Sequence, residues 1–383
     1  KFIIDNINYE KKDDSQMYLQ INGEIKNNKN LNISNFIINE ENNNIKIKNL
    51  SLNDSNQIIK IDNINFKKSD ESAMFLKIKG DLKDNKNLNI NSFIINEKNN
   101  NIKIYNLSLN NLNQIIKIDQ ANFNYLDTEN KKNDYNVKKV TEYGYIINGN
   151  SFNANSLISN LLEADKKKEN NFFENNLTIN LNLKEVYIDK IYFVKNLKGK
   201  LNIIDNKVVD ADIFASFNNS KNIEFTIRTN DQDEKITTLF SSKAKPLVDR
   251  YKFIKGFKDD EEGYLDFYSL KKNGVSKSKL IIDNFKVKEI PALAKLLALA
   301  SLQGIADLLT GEGIRFTDFE MNFTNENELM KIEELYAIGP AISILLEGYL
   351  EENKLISLRG TLVPATTINR SIASIPLIGD LLI

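Results

Sequence analysis

Apolar residues recur at spacing two from the start of the chain. Met17, Leu19, Ile21 and Ile25 fall on one face of an extended segment, and Tyr18, Gln20, Asn22 and Glu24 on the other. This is the alternation of a half-buried strand, because successive side chains of an extended backbone point to opposite sides. Leu31 and Ile33, then Ile45 and Ile47, repeat it, and Asn27, Asn28 and Asn42 to Asn44 supply turn residues that accept left-handed conformations. The pattern predicts strands near 2–9, 16–26, 31–39 and 43–52. Phase changes at Lys48 to Leu50 and near Asn35 break strict alternation as β-bulges would, and bulges curve sheets.

The pattern is itself repeated. IDNINY at 4–9 returns as IDNINF at 61–66 and as IDQANF at 118–123, an offset of 57 both times, and 40 of 57 positions are identical between 4–60 and 61–117. Such repetition belongs to structures that extend by stacking units. Four strands per unit is an even number, so an antiparallel meander lets each copy begin on the same edge of the sheet and the next continue it. At about 4.8 Å between strands the whole chain would run on the order of 100 Å. The sheet carries a continuous Ile/Leu/Phe face, and 1–125 offers no helix to cover it. A β-sandwich is the alternative, but near-identical consecutive copies and scarce Pro and Gly favour an open, curved sheet. An uncovered apolar face of that length calls for a ligand.

Beyond the repeats, SLISNLLEADKKK (156–168) has helical spacing and a basic end, and AKPLVDRYKFIKGF (244–257) is a second short helix with Gly256 as its stop. Leu177 to Leu183 and Leu197 to Phe217 return to strand alternation. PALAKLLALASLQGIADLL (291–309) is the strongest apolar stretch. Pro291 suits its first turn, TGEG ends it, and Lys295, Gln303 and Asp307 favour an amphipathic helix over a membrane span, which needs about 20 mostly apolar residues. RFTDFEMNF, ISILLEGYL and LISLRGTLV are further strands. The expected organisation is 1–125 for tandem repeats, 126–288 for continuing sheet with short helices, and 289–383 for the C-terminal region with its helix at 290–309.

Composition narrows the chemistry. With 51 basic and 52 acidic residues the formal charge is −1, which leaves no excess of positive charge to drive counterion release from nucleic acid. The chain contains no His and no Cys. The commonest general base near neutral pH, thiol nucleophiles, Cys-zinc sites and disulfides are therefore all excluded. Ser371 and Ser374 have no His to activate them and no Ser-x-x-Lys pair. The acidic run Asp259 to Glu262 lacks the ligand spacing of an oxygen cage and reads as a solvated loop. Asp210 and Asp212 share the solvent face of a strand, and LTGEG at 309–313 lacks the Lys-Ser/Thr of a phosphate loop. No enzyme activity, cofactor or metal is expected. KFIIDNINY shows no signal-peptide pattern, and SIPLIGDLLI is an apolar ending, so the chain reads as part of a longer protein.

LTGEGIRFTDFEMNF (309–323), AIGPAISILLEGYL (337–350) and RGTLVPATTINRSIASIPLIGDLL (359–382), with the apolar helix before them, resemble the AsmA-like C-terminal region of Gram-negative envelope proteins. GTLVPA followed by Asn369 and then IPLIG carries most of the likeness, and YGYIINGNSFNANSLISNLLE (143–163) adds a fainter one. The resemblance implies a protein anchored in the inner membrane through a segment absent from this chain, with an elongated apolar β-groove in the periplasm that moves phospholipids towards the outer membrane. The 57-residue duplication is not part of that likeness.

The expected fold is mainly β, an elongated curved antiparallel sheet forming an open apolar groove with a few short amphipathic helices. Its expected lipid-contacting residues are Met17, Leu19, Ile21, Leu31, Ile33, Ile45 and Ile47, with the copies Met74, Leu76, Ile78, Leu88, Ile90, Ile102 and Ile104. The partners are phospholipids and the inner and outer membranes. The alternative is a β-sandwich or β-rod scaffold of the envelope without lipid cargo.

Overall fold

The computed structural model describes the chain except residues 1, 5–6, 10–16, 27–29, 41–42, 54–57, 62–63, 68–73, 84–86, 98–99, 111, 113, 159–172, 219–220, 252–253, 255, 259–262, 289–312, 327–328, 352–354 and 365–383. It divides into two units, Lys1–Val208 and Val209–Ile383. Each is mainly β, and each builds an open sheet.

In the first unit the alternating segments form strands close to where the pattern puts them, at Met17–Lys26, Asn30–Glu40 and Asn43–Asn53, and in the second copy at Met74–Lys83, Asn87–Glu97 and Asn100–Leu109. Ile115–Leu126, Lys132–Lys139, Gly144–Asn153, Leu177–Tyr187 and Phe193–Ile204 continue the sheet. Gly144–Asn153 and Leu177–Tyr187 run parallel, so the sheet is mixed rather than wholly antiparallel. A parallel pair needs a crossover, and 154–176 supplies it. Residues 155–158 are helical, which is the start of the expected 156–168 helix; the rest of that helix lies outside the described residues.

The repeat is built differently from a serial meander. Met17–Lys26 pairs directly and antiparallel with its own copy, Met74–Lys83, with Ile21 opposite Ile78. The two copies are thus inverted about this seam, in the order 43–53, 30–40, 17–26, 74–83, 87–97, 100–109. The reason is strand parity. Among the described residues each copy places three strands in the sheet, not four, while Phe2–Ile4 with Ile7–Tyr9, and Ile58–Ile61 with Ile64–Lys67, form separate two-stranded hairpins. An odd number of strands leaves the chain on the far edge, and the 20-residue stretch from Asp54 to Ala73 is ample, at about 3.3 Å per extended residue, to return past two neighbours about 4.8 Å apart.

Bulges fall where the alternation changes phase. Ser34 is the extra residue between Asn35, opposite Asn22, and Ile33, opposite Gly23, where the register shifts, and its copy Asn91 is the extra residue between Ser92 and Ile90. Asn49 and Asn106 are skipped opposite them without a further shift. Asn106 takes φ 51° and its amide donates to the Asp119 carboxylate at 2.9 Å. Asn196 (φ 53°) and Asn284 (φ 50°) occupy equivalent skipped positions. Asn tolerates the left-handed region better than most residues, which gives part of the Asn content a structural use.

The second unit pairs Lys207–Asn218, Lys221–Thr229, Lys235–Ser241, Leu265–Lys272, Val275–Val287, Ile314–Glu326, Leu329–Ile338, Ile342–Glu351 and Leu355–Pro364 in chain order, all antiparallel. The three C-terminal strands read from sequence are all present. Helix Lys245–Tyr251 carries Pro246 in its first turn and buries Leu247 and Val248 against Phe257, Leu265 and Phe285. It ends before Gly256, which adopts φ 72°. Among the described residues no helix is long and apolar enough to cross a membrane, and the expected helix at 290–309 lies outside them.

Glycine is demanded at the last strand pair. A Cβ on Gly348 (φ 150°) would sit 2.0 Å from the Ser357 carbonyl oxygen, and one on Gly360 would sit 1.9 Å from that of Leu345. Gly348→Ala is expected to lower stability by about 1–3 kcal/mol, the usual cost of a strained backbone position, read by thermal unfolding. Hydrogen exchange should quicken first in Leu355–Pro364.

Candidate functional site

Cross-strand register turns the alternation into rows. In the first unit one row runs Ile47, Phe36, Ile21, Ile78, Phe93, Ile104, Ala121, Val137, Ile147, Leu181. A second runs Leu50, Ile33, Gly23, Leu76, Ile95, Ile102, Phe123, Tyr135, Gly149, Leu183. Shorter rows carry Ile45, Leu19, Ile90 and Leu107, then Leu31, Ile25 and Met74, then Met17, Leu82, Leu88 and Leu109. Every lipid-contacting position named from the sequence therefore lies in one of these rows.

Their burial is graded. Ile21, Ile78, Leu88 and Ile90 are half-buried. Ile102 and Ile104 are buried, packed with Ile95, Ala121, Phe123 and Tyr125, and Phe123 stacks on Tyr135 at 4.6 Å. The side chains of Met17, Leu19, Leu31, Ile33, Ile45, Ile47, Met74 and Leu76 lie outside the described residues. Lys77 and Lys79, one residue away on the opposite face, are exposed.

The second unit has its own rows, which hold none of the lipid-contacting positions expected from the sequence. One holds Ala215, Ile223, Ser241, Leu265, Ile282, Phe319, Ala337, Ile344 and Leu362. Another holds Ala211, Ile227, Thr237, Ser269, Ser278, Phe323, Ile332, Gly348 and Leu358. Between them lie Ile213, Phe225, Leu239, Phe267, Leu280, Met321, Leu335, Leu346 and Gly360. The flanking rows are mostly buried, whereas the central row is half-buried at every side chain except Leu280. Apolar surface thus stays accessible along the middle of the face, and Leu358 and Leu362 are exposed at its edge. The alternation of RFTDFEMNF and ISILLEGYL signals these rows in the sequence, but no internal repeat marks them.

The opposite face is charged and internally paired. Lys279 and Tyr336 each contact the Glu320 carboxylate at 2.8 Å, and Asn322 donates to it at 3.0 Å. Burial pushes the Glu320 carboxyl up, but these hydrogen bonds outweigh it and hold the group below its ordinary value. A depression of about 820 Å³ beside this network is lined by Tyr268, Lys277, Asn322, Glu334, Glu347 and Arg359 among others. Its charges are of both signs, and Arg359 pairs with Glu347.

Asp283 stands opposite Asp318 across two strands. Desolvation, then the Asp318 charge, raises the Asp283 carboxyl above its ordinary value. A raised carboxyl binds its proton more tightly folded than unfolded, so its contribution to stability falls as pH rises through the folded pKa. Asp283→Asn is expected to raise the midpoint of unfolding at neutral pH, with the gain shrinking as pH drops below the ordinary Asp range. Urea titrations at the two pH values check it. No known protein family, curated protein or solved structure matches the chain.

Proposed function

We propose that the chain is a stretch of a bridge-like lipid carrier of the bacterial envelope, in which phospholipid acyl chains lie along the apolar face while headgroups stay in water. The observation that carries this reading is the half-buried central row of the second unit, Ile213 to Leu346. Apolar side chains remain half-buried there strand after strand, and among the described residues no second sheet seals them.

Burying one CH₂ is worth ~0.8 kcal/mol, so an acyl chain of about 14 methylenes gains on the order of 11 kcal/mol in a continuous apolar trough. Positions along uniform rows are nearly isoenergetic. A lipid slides along them without specific polar sites, and net direction comes from elsewhere in the assembly. The C-terminal likeness to AsmA-like proteins supports a periplasmic location between inner and outer membrane, a membrane anchor elsewhere in the protein, and a role without catalysis.

A scaffold without cargo is the second reading. It draws on the burial of Ile102, Ile282 and Ile342, side chains that leave no exposed surface for a tail to cover. Native mass spectrometry of the chain purified gently from membranes separates the two. Phospholipid adducts of mixed headgroup and chain length are expected, and a uniformly lipid-free protein would favour the scaffold.

A further inference from the structure

The apolar face of the second unit is interrupted at one rim. Beyond the row that holds Thr237, Ser269 and Ser278, the next row on the same face runs Thr229, Lys235, Lys271, Ser276 and Asn325, each directly opposite the next. It turns apolar again further along, at Met330, Leu350 and Ile356. Successive side chains of a strand alternate between faces, so Lys235 and Lys271 share the face of Leu239 and Phe267, four residues away on the same two strands. Both lysines are half-buried, whereas Lys277 on the other face is exposed.

Two cations directly opposite one another on one face repel, and an anion between them turns that repulsion into attraction. The groups around them fit an anion too. Among the described residues, the Thr229 hydroxyl oxygen is buried without a hydrogen-bond partner, which is rare for a buried polar atom. Ser269 and Ser278 share one hydrogen bond at 2.9 Å, which leaves one of their two hydroxyl protons for a further acceptor. Glu234, beside Lys235 in the chain, is turned to Lys272 at 2.8 Å, and Asp231 and Asp233 are exposed in the turn. Each lysine has a further interaction within the fold, but an ammonium carries three donors, so an existing contact does not preclude an anionic oxygen.

We propose that this polar inlay is a station for a phospholipid headgroup, with the phosphodiester between Lys235 and Lys271 beside the Thr229 hydroxyl. The ester linkages lie over Thr237, Ser269 and Ser278, and the acyl tails run onto the half-buried Leu239 and Phe267. Same-face positions on a strand are about 6.6 Å apart. Charged, hydroxyl and apolar rows therefore follow one another from the rim inwards in the order in which phosphate, esters and tails follow along the lipid. The station presupposes the lipid-carrier reading and deepens it: the uniform apolar rows hold any tail, and this one place selects for a phosphate.

Two probes with the same photoactivatable tails, phosphatidylglycerol and diacylglycerol, are offered to the full chain in dodecyl maltoside micelles, and capture is read by mass spectrometry. The parent is expected to capture the phosphatidylglycerol probe about tenfold better or more, the worth of one hydrogen bond to a charged group. Lys235→Gln/Lys271→Gln is expected to bring the two lipids to equal capture by lowering phosphatidylglycerol alone, with Lys271→Gln giving an intermediate preference and Lys277→Gln leaving it unchanged. Thermal unfolding checks that each variant folds as the parent does. Equal capture of the two lipids by the parent, or a preference that survives the double substitution, overturns the station and leaves the carrier reading standing. Capture of neither lipid overturns the carrier reading and the station with it.

Discussion

Replacing Ile78 by Asp is expected to cut photo-cross-linking of tail-labelled phospholipid to the chain by on the order of tenfold or more, since each 1.4 kcal/mol is tenfold and an unpaired carboxylate in an apolar path costs several kcal/mol. Ile78 stands in the row between Ile21 and Phe93. It is half-buried, so the new charge reaches water and the fold survives. Lys77→Asp, on the opposite and exposed face, leaves cross-linking unchanged. Equal cross-linking in the two variants contradicts the assignment of faces. Unfolding confined to Ile78→Asp points to a closed core.

Phe285→Ala is expected to destabilise the second unit by about 3–5 kcal/mol, the range for removing a buried ring and leaving a cavity. Phe285 is 3 % exposed. Its ring stacks on Phe257 at 5.0 Å and on Phe316 at 5.5 Å, and meets Phe319 edge-on at 6.1 Å. Phe257 anchors the short strand after helix Lys245–Tyr251 to Val275–Val287, so loss of the ring also loosens the helix from the sheet. Denaturant unfolding measures the effect. A change under 1 kcal/mol on the same scale would show that this end of the sheet does not depend on the aromatic cluster.

Much of the fold was legible in the alternation because a strand with one face buried asks little else of its residues. Strand positions near 17–26, 30–40 and 43–53 follow from period two and Asn-rich turns, and the bulge at Ser34 from the break in phase near Asn35. Pairing was less legible. Ile21 pairs with its own copy Ile78, because near-identical copies offer several partners of equal chemistry and local pattern does not choose among them. The parallel pair at Gly144–Asn153 was missed for a related reason. Both strands alternate alike in either direction, and only the length of 154–176 hinted at a crossover. The candidate site follows the repeat, because positions such as Ile78 and Ile90 have apolar counterparts 57 residues earlier, Ile21 and Ile33. The central row of the second unit draws one residue from each of nine strands, and only register brings these together.

The most direct measurement is a map of where a phospholipid with a photoactivatable acyl tail inserts into the intact protein, read peptide by peptide by mass spectrometry. The lipid-carrier reading predicts insertion along Phe225, Leu239, Phe267, Met321, Leu335 and Leu346, with none at Lys279, Glu320 or Lys331 on the other face. Labelling spread equally over both faces, or no labelling of that row, would contradict it.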